Sequence, residues 1–394
     1  MKTIKLGIIG LGGRGVGLAE LLLQSGRHMY EVTAVCDPYP NKVADALRTL
    51  ALPPEAGFTD YHELLQSPAV EAVMVETGAQ VMASISCDAL RAGKHVMCDV
   101  PMIFTRQEAW DLVVAVEQTG LVYCMQEQLR FANFVRHWKQ YIEQGEIGVP
   151  LFIQGEYIHP VAGWYLEDRA TGAAAVQEED LVVLVNDPRF QKTWRNTFKH
   201  PIKYISHELS PLLKILDDRV VQVSCCASDA RMYGDAVEMI DLECALMQTQ
   251  KGRPIRIVNS FTAPRSGEYF HHWYQIMGTD GVLETARPDW GVEGEIIRRK
   301  DGSVERTKYG WERTDDNPFG GFSGGHGGME AFVFQQFYDT VVHHHPNESD
   351  VYATVEATLP GIIAAESAES GGILMKVPNV RPNAERESGA YPKE

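Results

Sequence analysis

The sequence predicts a two-domain chain: an N-terminal doubly wound parallel α/β sheet, then an α+β domain carrying a large, mainly antiparallel open sheet. Three observations point there. The 394 residues exceed the roughly 150 of one typical domain. In the first third, short apolar or β-branched runs alternate with segments of helical periodicity, the rhythm of βαβ units. After Pro150 the rhythm becomes a succession of strands joined by turn signals, which reads as antiparallel.

Element by element, Thr3 to Ile9 reads as a strand that ends in glycines, and Gly15 to Ser25 as a helix through Val16, Leu18, Ala19 and Leu22. Tyr30 to Cys36 is β-branched and strand-like; Asn41 to Leu50 is helical. Val70 to Val75, His95 to Cys98 and Val122 to Met125 read as further strands, with helices at Ala83 to Ala92 and Thr105 to Thr119 between them. Asn133 to Gln144 reads as a helix with an aromatic face (Phe134, Trp138, Tyr141), stopped by Gly145 and Gly148-Val149-Pro150. Strands follow at Leu151 to Ile158, Val220 to Ala227, Glu243 to Gln248, Ile255 to Phe261, Trp273 to Met277, Gly281 to Glu284 and Glu295 to Arg299. Met329 to Val342 and Val351 to Glu369 read as two closing helices. The boundary falls near Gln126 to Phe131, giving a cofactor domain over 1–127 and a substrate and oligomerisation domain over 128–394.

Composition narrows the function. A formal charge of −17 gives no global attraction for phosphate backbones or anionic lipids, so no nucleic acid and no membrane surface is expected as a partner. Seven scattered cysteines, never in CxxC spacing, read as reduced thiols. With no signal-peptide pattern and no run long enough to span a bilayer, a cytoplasmic protein is expected. The His343-His344-His345 run invites a metal reading, but no acid sits at ligand spacing and the run ends a helix, where histidines favour the dipole; no metal is expected.

The chemistry starts at Gly10-Leu11-Gly12-Gly13-Arg14-Gly15, a G-x-G-x-x-G between a predicted strand and a predicted helix. Gly10 suits a tight turn, Gly12 a close approach to a pyrophosphate, and Gly15 helix–strand packing. The helix N-terminus offers unpaired N–H groups to the phosphates. Asp37 ends the second strand, 37 − 15 = 22 residues on, near the ~20 expected of an acid that binds ribose hydroxyls. An acid there repels a 2′-phosphate, so the expected cofactor is NAD in a Rossmann domain. Glu127 and Gln128 follow a strand of the parallel sheet, whose carboxyl ends face the cofactor crevice. Thr77, Asp99 and Pro101 complete the expected cofactor contacts.

With these residues placed, the chain resembles the Gfo/Idh/MocA family of NAD(P)-dependent sugar and cyclitol oxidoreductases. The likeness runs from the glycine turn through Ala89-Leu90-Arg91-Ala92-Gly93-Lys94-His95-Val96 to the closing helices. Members usually carry Glu-Lys-Pro after that strand, the lysine assisting proton transfer, and many have an aspartate four residues before a catalytic histidine. Here the tripeptide is Asp99-Val100-Pro101, and Lys203 precedes His207. The branch that lacks the lysine in the same way is the NAD-dependent glycosidases typified by bacterial α-N-acetylgalactosaminidases. Gly155-Glu156-Tyr157-Ile158-His159, Tyr204-Ile205-Ser206-His207, Gly325-His326-Gly327-Gly328-Met329 and Asp350-Val351-Tyr352 are similar to that branch.

His207 is the best base, since an imidazole titrates near neutrality, and Tyr204 shares its face if Lys203 to Ser210 is helical. The resemblance implies that His207 and Tyr204 act at the 3-hydroxyl of a sugar and Tyr157 on the proton at position 2. In that scheme oxidation at position 3 is transient, the aglycone leaves by elimination, water adds, and the cofactor is regenerated in place. A net sugar or cyclitol dehydrogenase and an inactive NAD-sensing regulator remain the alternatives. His159 and His326 are candidate sugar contacts. Lys192, Arg195, Lys199, His200 and Lys203 crowd before Tyr204; the first reading of this stretch is a solvated charge run, and the sharper one is that Arg195, Lys199 and Lys203 receive a carboxylated or sulfonated sugar. A homo-oligomer, dimer or tetramer, is expected because an exposed sheet face in this fold is usually covered by a second subunit.

Overall fold

The structure is a computed structural model in which residues 2–161, 164–173, 180–263, 271–285, 295–307, 316–320, 324–383 and 386 are described. It divides into two compact units, Met1–Gln128 with Arg313–Val355, and Leu129–Glu312 with Glu356–Glu394.

The first unit is built on β1 (Ile4–Ile9), α1 (Gly13–Ser25), β2 (Tyr30–Cys36), α2 (Pro40–Thr49), β3 (Gly57–Phe58), α3 (Tyr61–Gln66), β4 (Ala72–Val75), α4 (Ala79–Arg91), β5 (His95–Cys98), α5 (Arg106–Thr119) and β6 (Tyr123–Met125). Its strands pair in parallel in the order β3-β2-β1-β4-β5-β6. The order reverses between β1 and β4, the place where such sheets open a ligand crevice. Strands in a sheet covered on both faces read as continuous apolar runs, and all four residues of β4 are buried. Local chemistry sets the ends. Pro40 opens α2, where its missing N–H costs nothing. Thr105 and Glu108 form a capping box on α5, and Gly120 ends it at φ 66°.

The second unit holds α6 (Asn133–Glu143), β7 (Pro150–Ile158), a two-stranded ribbon of β8 (Leu166–Asp168) and β9 (Phe190–Lys192), the one-turn α7 (Leu181–Leu184) and α8 (Trp194–Thr197), and α9 (Ser206–Leu216). The large sheet adds β10 (Val220–Ala227), β11 (Glu243–Thr249), β12 (Pro254–Ser260), β13 (His272–Gly278), β14 (Gly281–Thr285), β15 (Glu295–Arg299) and β16 (Val304–Thr307). The short α10 (Gly324–Gly327) and α11 (Glu330–His343) return to the first unit; α12 (Val351–Glu369) and β17 (Met375–Lys376) follow. Nine strands line up as β16-β15-β14-β13-β7-β12-β11-β10-β17. Every pairing is antiparallel except β7 with β12, so the sheet is mainly antiparallel, as expected. Burial alternates along β7 and β11, the mark of a sheet with one packed face. Ile153, Ile257, Ala245, Met247, Ile276 and Leu283 supply that face, and α9, with ten buried residues, is sunk in the same core.

Among the described residues no helix is long and apolar enough to cross a membrane, and no group of three or more His, Cys, Asp or Glu could hold a metal ion. The triple histidine falls at the end of α11, with His344 capping it at φ 57°.

Candidate active site

In the first unit the glycine-rich turn has the shape a dinucleotide needs. Gly10 has φ +100°, and a Cβ there would stand 2.4 Å from the Glu76 carbonyl oxygen. A Cβ on Gly15 would stand 2.1 Å from the Gly10 oxygen, so α1 packs onto β1 only because that side chain is missing. Around Gly12 and Gly13 the result is opposite: an added Cβ meets nothing within 4 Å. The first two glycines named close the turn; the other two leave its outer side open. Helix α1 starts there with no side-chain cap and no acid in its first turn, so its N–H groups remain available to an anion.

Asp37 is buried, and its Oδ2 accepts a hydrogen bond from Leu11 N at 2.9 Å while Oδ1 accepts from Tyr39 N at 3.0 Å. The acid is thereby fixed against the glycine turn, with lone pairs to spare for ribose hydroxyls. Thr77 Oγ1 and Gln128 Oε1 are buried without a hydrogen-bond partner among the described residues. Orphaned buried polar atoms are costly, and a dinucleotide with hydroxyl and amide groups is suited to satisfy them. The open turn, the uncapped helix, the anchored acid and the orphaned Thr77 hydroxyl fit NAD.

Arg14 organises a network that the sequence does not announce. Its guanidinium lies 3.3 Å from Asp99, 3.4 Å from Glu330 and 3.9 Å from Glu76. Gln126 Nε2 donates to Glu76 Oε1 at 2.5 Å, and His326 Nδ1 meets Glu330 Oε1 at 2.5 Å. Burial pushes Glu76 well above the usual carboxylate range, and the nearby Asp99 charge adds to it against the pull of Arg14. Burial would raise Glu330 too, but the hydrogen bond and charge of His326, with Arg14, outweigh it and bring Glu330 down to about 2. Asp99 thus serves the network through Arg14; Val100 beside it is buried and Pro101 follows through a cis bond. Glu127 is fully buried. His326 stands in this unit, on Glu330. Glu76 was legible in principle, since it directly follows β4 at the switch point; Glu330 carried no signal.

The second unit gathers Tyr157, Tyr204 and His207. Tyr157 stands near the end of β7, Tyr204 ends a tight turn over Pro201–Tyr204, and His207 lies in the first turn of α9. All three are nearly buried, and their ring centroids are 5.5 Å (Tyr157–His207), 5.3 Å (Tyr204–His207) and 6.1 Å (Tyr157–Tyr204) apart. The expected helix from Lys203 begins only at Ser206. Asn259 on β12 explains the break, because its Nδ2 donates to the Pro201 and Tyr204 carbonyls at 3.3 and 3.2 Å, holding the turn on the sheet. Tyr274 Oη donates to the His207 carbonyl at 2.7 Å and pins the helix start.

Further residues complete this cluster. The Tyr157 hydroxyl is 2.9 Å from His159 Nδ1, and His159 stacks on His271 at 3.5 Å. His272 stacks on Tyr157 at 4.2 Å, and Glu208 holds His272 Nδ1 at 2.5 Å. Sequence reasoning missed both; their pairing depends on strand register and had no local signal.

The basic stretch is less basic than it reads. Lys192 pairs with Glu238, Lys199 with Glu369, and His200 with Glu243 and Glu369. The Lys199 hydrogen bond, seconded by His200, pulls Glu369 down to about 2. Lys203 stands beside Tyr204 in the tight turn. Arg195 differs: no described carboxylate pairs with it, and its guanidinium lies 4.5 Å over Trp194, 4.9 Å over Trp164 and 5.7 Å from the Tyr204 ring.

The first unit is that of a dinucleotide-dependent oxidoreductase fold. Residues 4–127 match the GFO_IDH_MocA oxidoreductase family with its NAD-binding Rossmann fold, and residues 140–383 match the C-terminal domain of glycosyl hydrolase 109. The chain belongs to the glycosyl hydrolase 109 family, an NAD-dependent enzyme family. It is 24% identical to a glycosyl hydrolase family 109 protein of Shewanella pealeana, covering 96% of this chain and 86% of the relative. It is 22% identical to an alpha-N-acetylgalactosaminidase of Shewanella oneidensis, over 96% and 85%. The scyllo-inositol dehydrogenase of Lactobacillus casei, solved with NAD(H) and scyllo-inositol, shares the fold at TM-score 0.70 and 18% identity, over 95% of this chain and 99% of that one.

Proposed function

We propose that this protein cleaves a glycoside without net redox, by transient oxidation at the 3-position of the sugar. The observation that carries the reading is one cluster of three proton-handling side chains, Tyr157, Tyr204 and His207, in a chain where a buried valine, Val100, stands in place of the lysine usual in the wider family. The glycine turn, Asp37 and Thr77 would hold NAD, which would supply a hydride acceptor for position 3.

His207 removes the 3-hydroxyl proton as oxidation proceeds, and Tyr204 orients that hydroxyl by hydrogen bonding. The resulting 3-ketone makes the proton at position 2 acidic. Tyr157 takes that proton, the electron pair forms the double bond between positions 1 and 2, and the aglycone departs from position 1. The oxygen of water then adds at position 1, its spare proton going to the released aglycone oxygen, Tyr157 returns a proton to position 2, and re-reduction at position 3, with His207 returning the hydroxyl proton, restores the sugar. The buried rings exclude bulk water, which strengthens these proton transfers.

Arg195 supports an anionic sugar. A guanidinium over two tryptophans beside Tyr204, with no described carboxylate on it, is placed to receive a carboxylate or sulfonate. Leu246 and Met277, exposed on the large sheet, support a homo-oligomer through its outer face.

The test incubates the protein with catalytic NAD and a panel of aryl glycosides, neutral (an α-N-acetylgalactosaminide) and anionic (a glucuronide, a sulfoquinovoside), in deuterated water. Aglycone release without accumulating NADH, with deuterium at position 2, supports the reading. Stoichiometric NADH with no aglycone identifies a net dehydrogenase instead. NAD binding with neither product identifies a sensor. Arg195→Met is expected to slow anionic substrates at least tenfold more than neutral ones; equal losses overturn the anionic assignment.

A further inference from the structure

We propose that His272, charged and clamped by Glu208, is a positioning residue that keeps Tyr157 able to act as the base at position 2. The inference rests on the redox-neutral reading above and names what makes a phenol fit for that step. A free phenol ionises near pH 10, so a tyrosine base needs a neighbour that favours its anion.

Register supplies the neighbour. In the antiparallel pairing of β13 with β7, His272 lies directly opposite Tyr157. The two rings stack face to face, 4.2 Å between centroids and 10° from parallel. Facing residues of such a pair are the closest side chains a sheet provides. A cation over an aromatic face is attracted to it, and more strongly once the ring is a phenolate.

Glu208 sets a carboxylate against that ring, which favours its protonated form. It follows His207 in the first turn of α9, its side chain is fully buried, and its Oε1 lies 2.5 Å from His272 Nδ1. The space it occupies is made by Gly155 of β7: a Cβ there would come within 3.1 and 3.2 Å of Glu208 Cβ and Cγ. A buried carboxylate must be paired, and the pair it finds is the histidine stacked on Tyr157.

Other described groups also face Tyr157. On its own strand, His159 Nδ1 meets the hydroxyl at 2.9 Å. From α9, the His207 ring stands edge-on at 5.5 Å, and 5.4 Å from His272. Tyr204 lies 6.1 Å away in the tight turn. From the β12 side come uncharged residues, Asn259 opposite Tyr157 in the parallel register and Phe261 at 5.3 Å. Tyr274 stacks beyond His272 at 6.5 Å.

The experiment compares the intact NAD-bound protein with His272→Gln, Glu208→Gln and Tyr157→Phe, using the aryl glycoside that the wild type cleaves fastest. NADH absorbance in the first turnover reports oxidation at position 3; deuterium uptake from solvent reports proton transfer at position 2. His272→Gln is expected to leave first-turnover reduction within about threefold. It is expected to slow exchange about 10- to 100-fold at neutral pH and to move the acid limb of the exchange profile up by about one pH unit or more, with activity regained at higher pH. Glu208→Gln moves the limb the same way, and Tyr157→Phe abolishes exchange at every pH. Equal losses in both steps with an unmoved limb, or exchange at the wild-type rate, overturn the role of His272. A wild type that reduces NAD yet never exchanges at position 2 overturns the redox-neutral reading itself, and this role with it.

Discussion

Replacing single glycines of the turn separates cofactor binding from folding. Gly12 and Gly15 each lack a side chain, for opposite reasons. At Gly12 an added Cβ meets nothing within 4 Å, and the backbone sits at φ −71°, ψ 177°, which alanine adopts without strain. Gly12→Ala therefore costs the fold only the modest preference of glycine over alanine at an N-cap, about 0.5–1 kcal/mol. The same methyl stands where a pyrophosphate must approach the turn. NAD affinity is expected to fall at least 30-fold, which is about 2 kcal/mol. At Gly15 the Cβ would lie 2.1 Å from the Gly10 oxygen, a backbone atom. An ordinary contact is roughly 3.4 Å or more, so α1 must move away from the turn by about 1 Å. Overpacking of this kind costs about 1–3 kcal/mol or more, a fall in Tm of roughly 3–10 °C for a domain of this size. Calorimetric titration with NAD and thermal unfolding without it read the two effects separately. Wild-type affinity in Gly12→Ala would refute the assignment of this turn as the pyrophosphate seat. An unchanged Tm in Gly15→Ala would refute the packing argument.

Three further outcomes are expected. Asp37→Asn removes the charge that repels a 2′-phosphate, so the ratio of NAD to NADP dissociation constants shifts toward NADP by about tenfold or more; titration with both cofactors checks it. His207→Gln keeps NAD affinity and lowers the rate of first-turnover reduction by about 10²–10⁴, measured by stopped-flow absorbance. The Arg14 network makes stability respond to pH in two opposed ways. Glu330, held down to about 2 from an ordinary 4.5, contributes stability above its unfolded pKa that is lost as pH falls from about 4.5 toward 2, on the order of 3 kcal/mol. Glu76, raised by burial and by Asp99, contributes below its unfolded pKa and loses that contribution as pH rises through its folded value. Glu76→Gln is therefore expected to raise Tm at pH 8 and Glu330→Gln to lower it, read by unfolding at several pH values.

Much of the scaffold was legible in the sequence because its signals are local. The strands at Tyr30–Cys36, His95–Cys98, Val220–Ala227 and Glu295–Arg299 and the helix at Val351–Glu369 fall where the apolar periodicity places them. Other elements shift by a few residues at their ends, where caps and fraying decide. Short pieces such as Gly57–Phe58, Tyr61–Gln66 and the ribbon of Leu166–Asp168 with Phe190–Lys192 are too brief for a period to show. The same locality explains the cofactor half. A glycine turn between a strand and a helix is a statement about neighbouring φ and ψ, and Asp37 is tied to Leu11 across one βα unit.

Side chains brought together from distant strands and helices were not legible, and there the tertiary structure decided. Sequence named Tyr157, Tyr204 and His207; it could not say that β7 would lie between β13 and β12, antiparallel to one and parallel to the other. That register alone puts His272 on Tyr157, and Gly155 alone makes room for Glu208 behind it. The cations before Tyr204 read as one basic patch, yet Glu238, Glu243 and Glu369 neutralise most of it. Arg14 likewise finds Glu330 across 316 residues of chain. The reason is physical: turns and periodicities are fixed by adjacent residues, whereas a charge's partner and a ring's neighbour are fixed by how whole sheets pack, at a range where sequence carries no period.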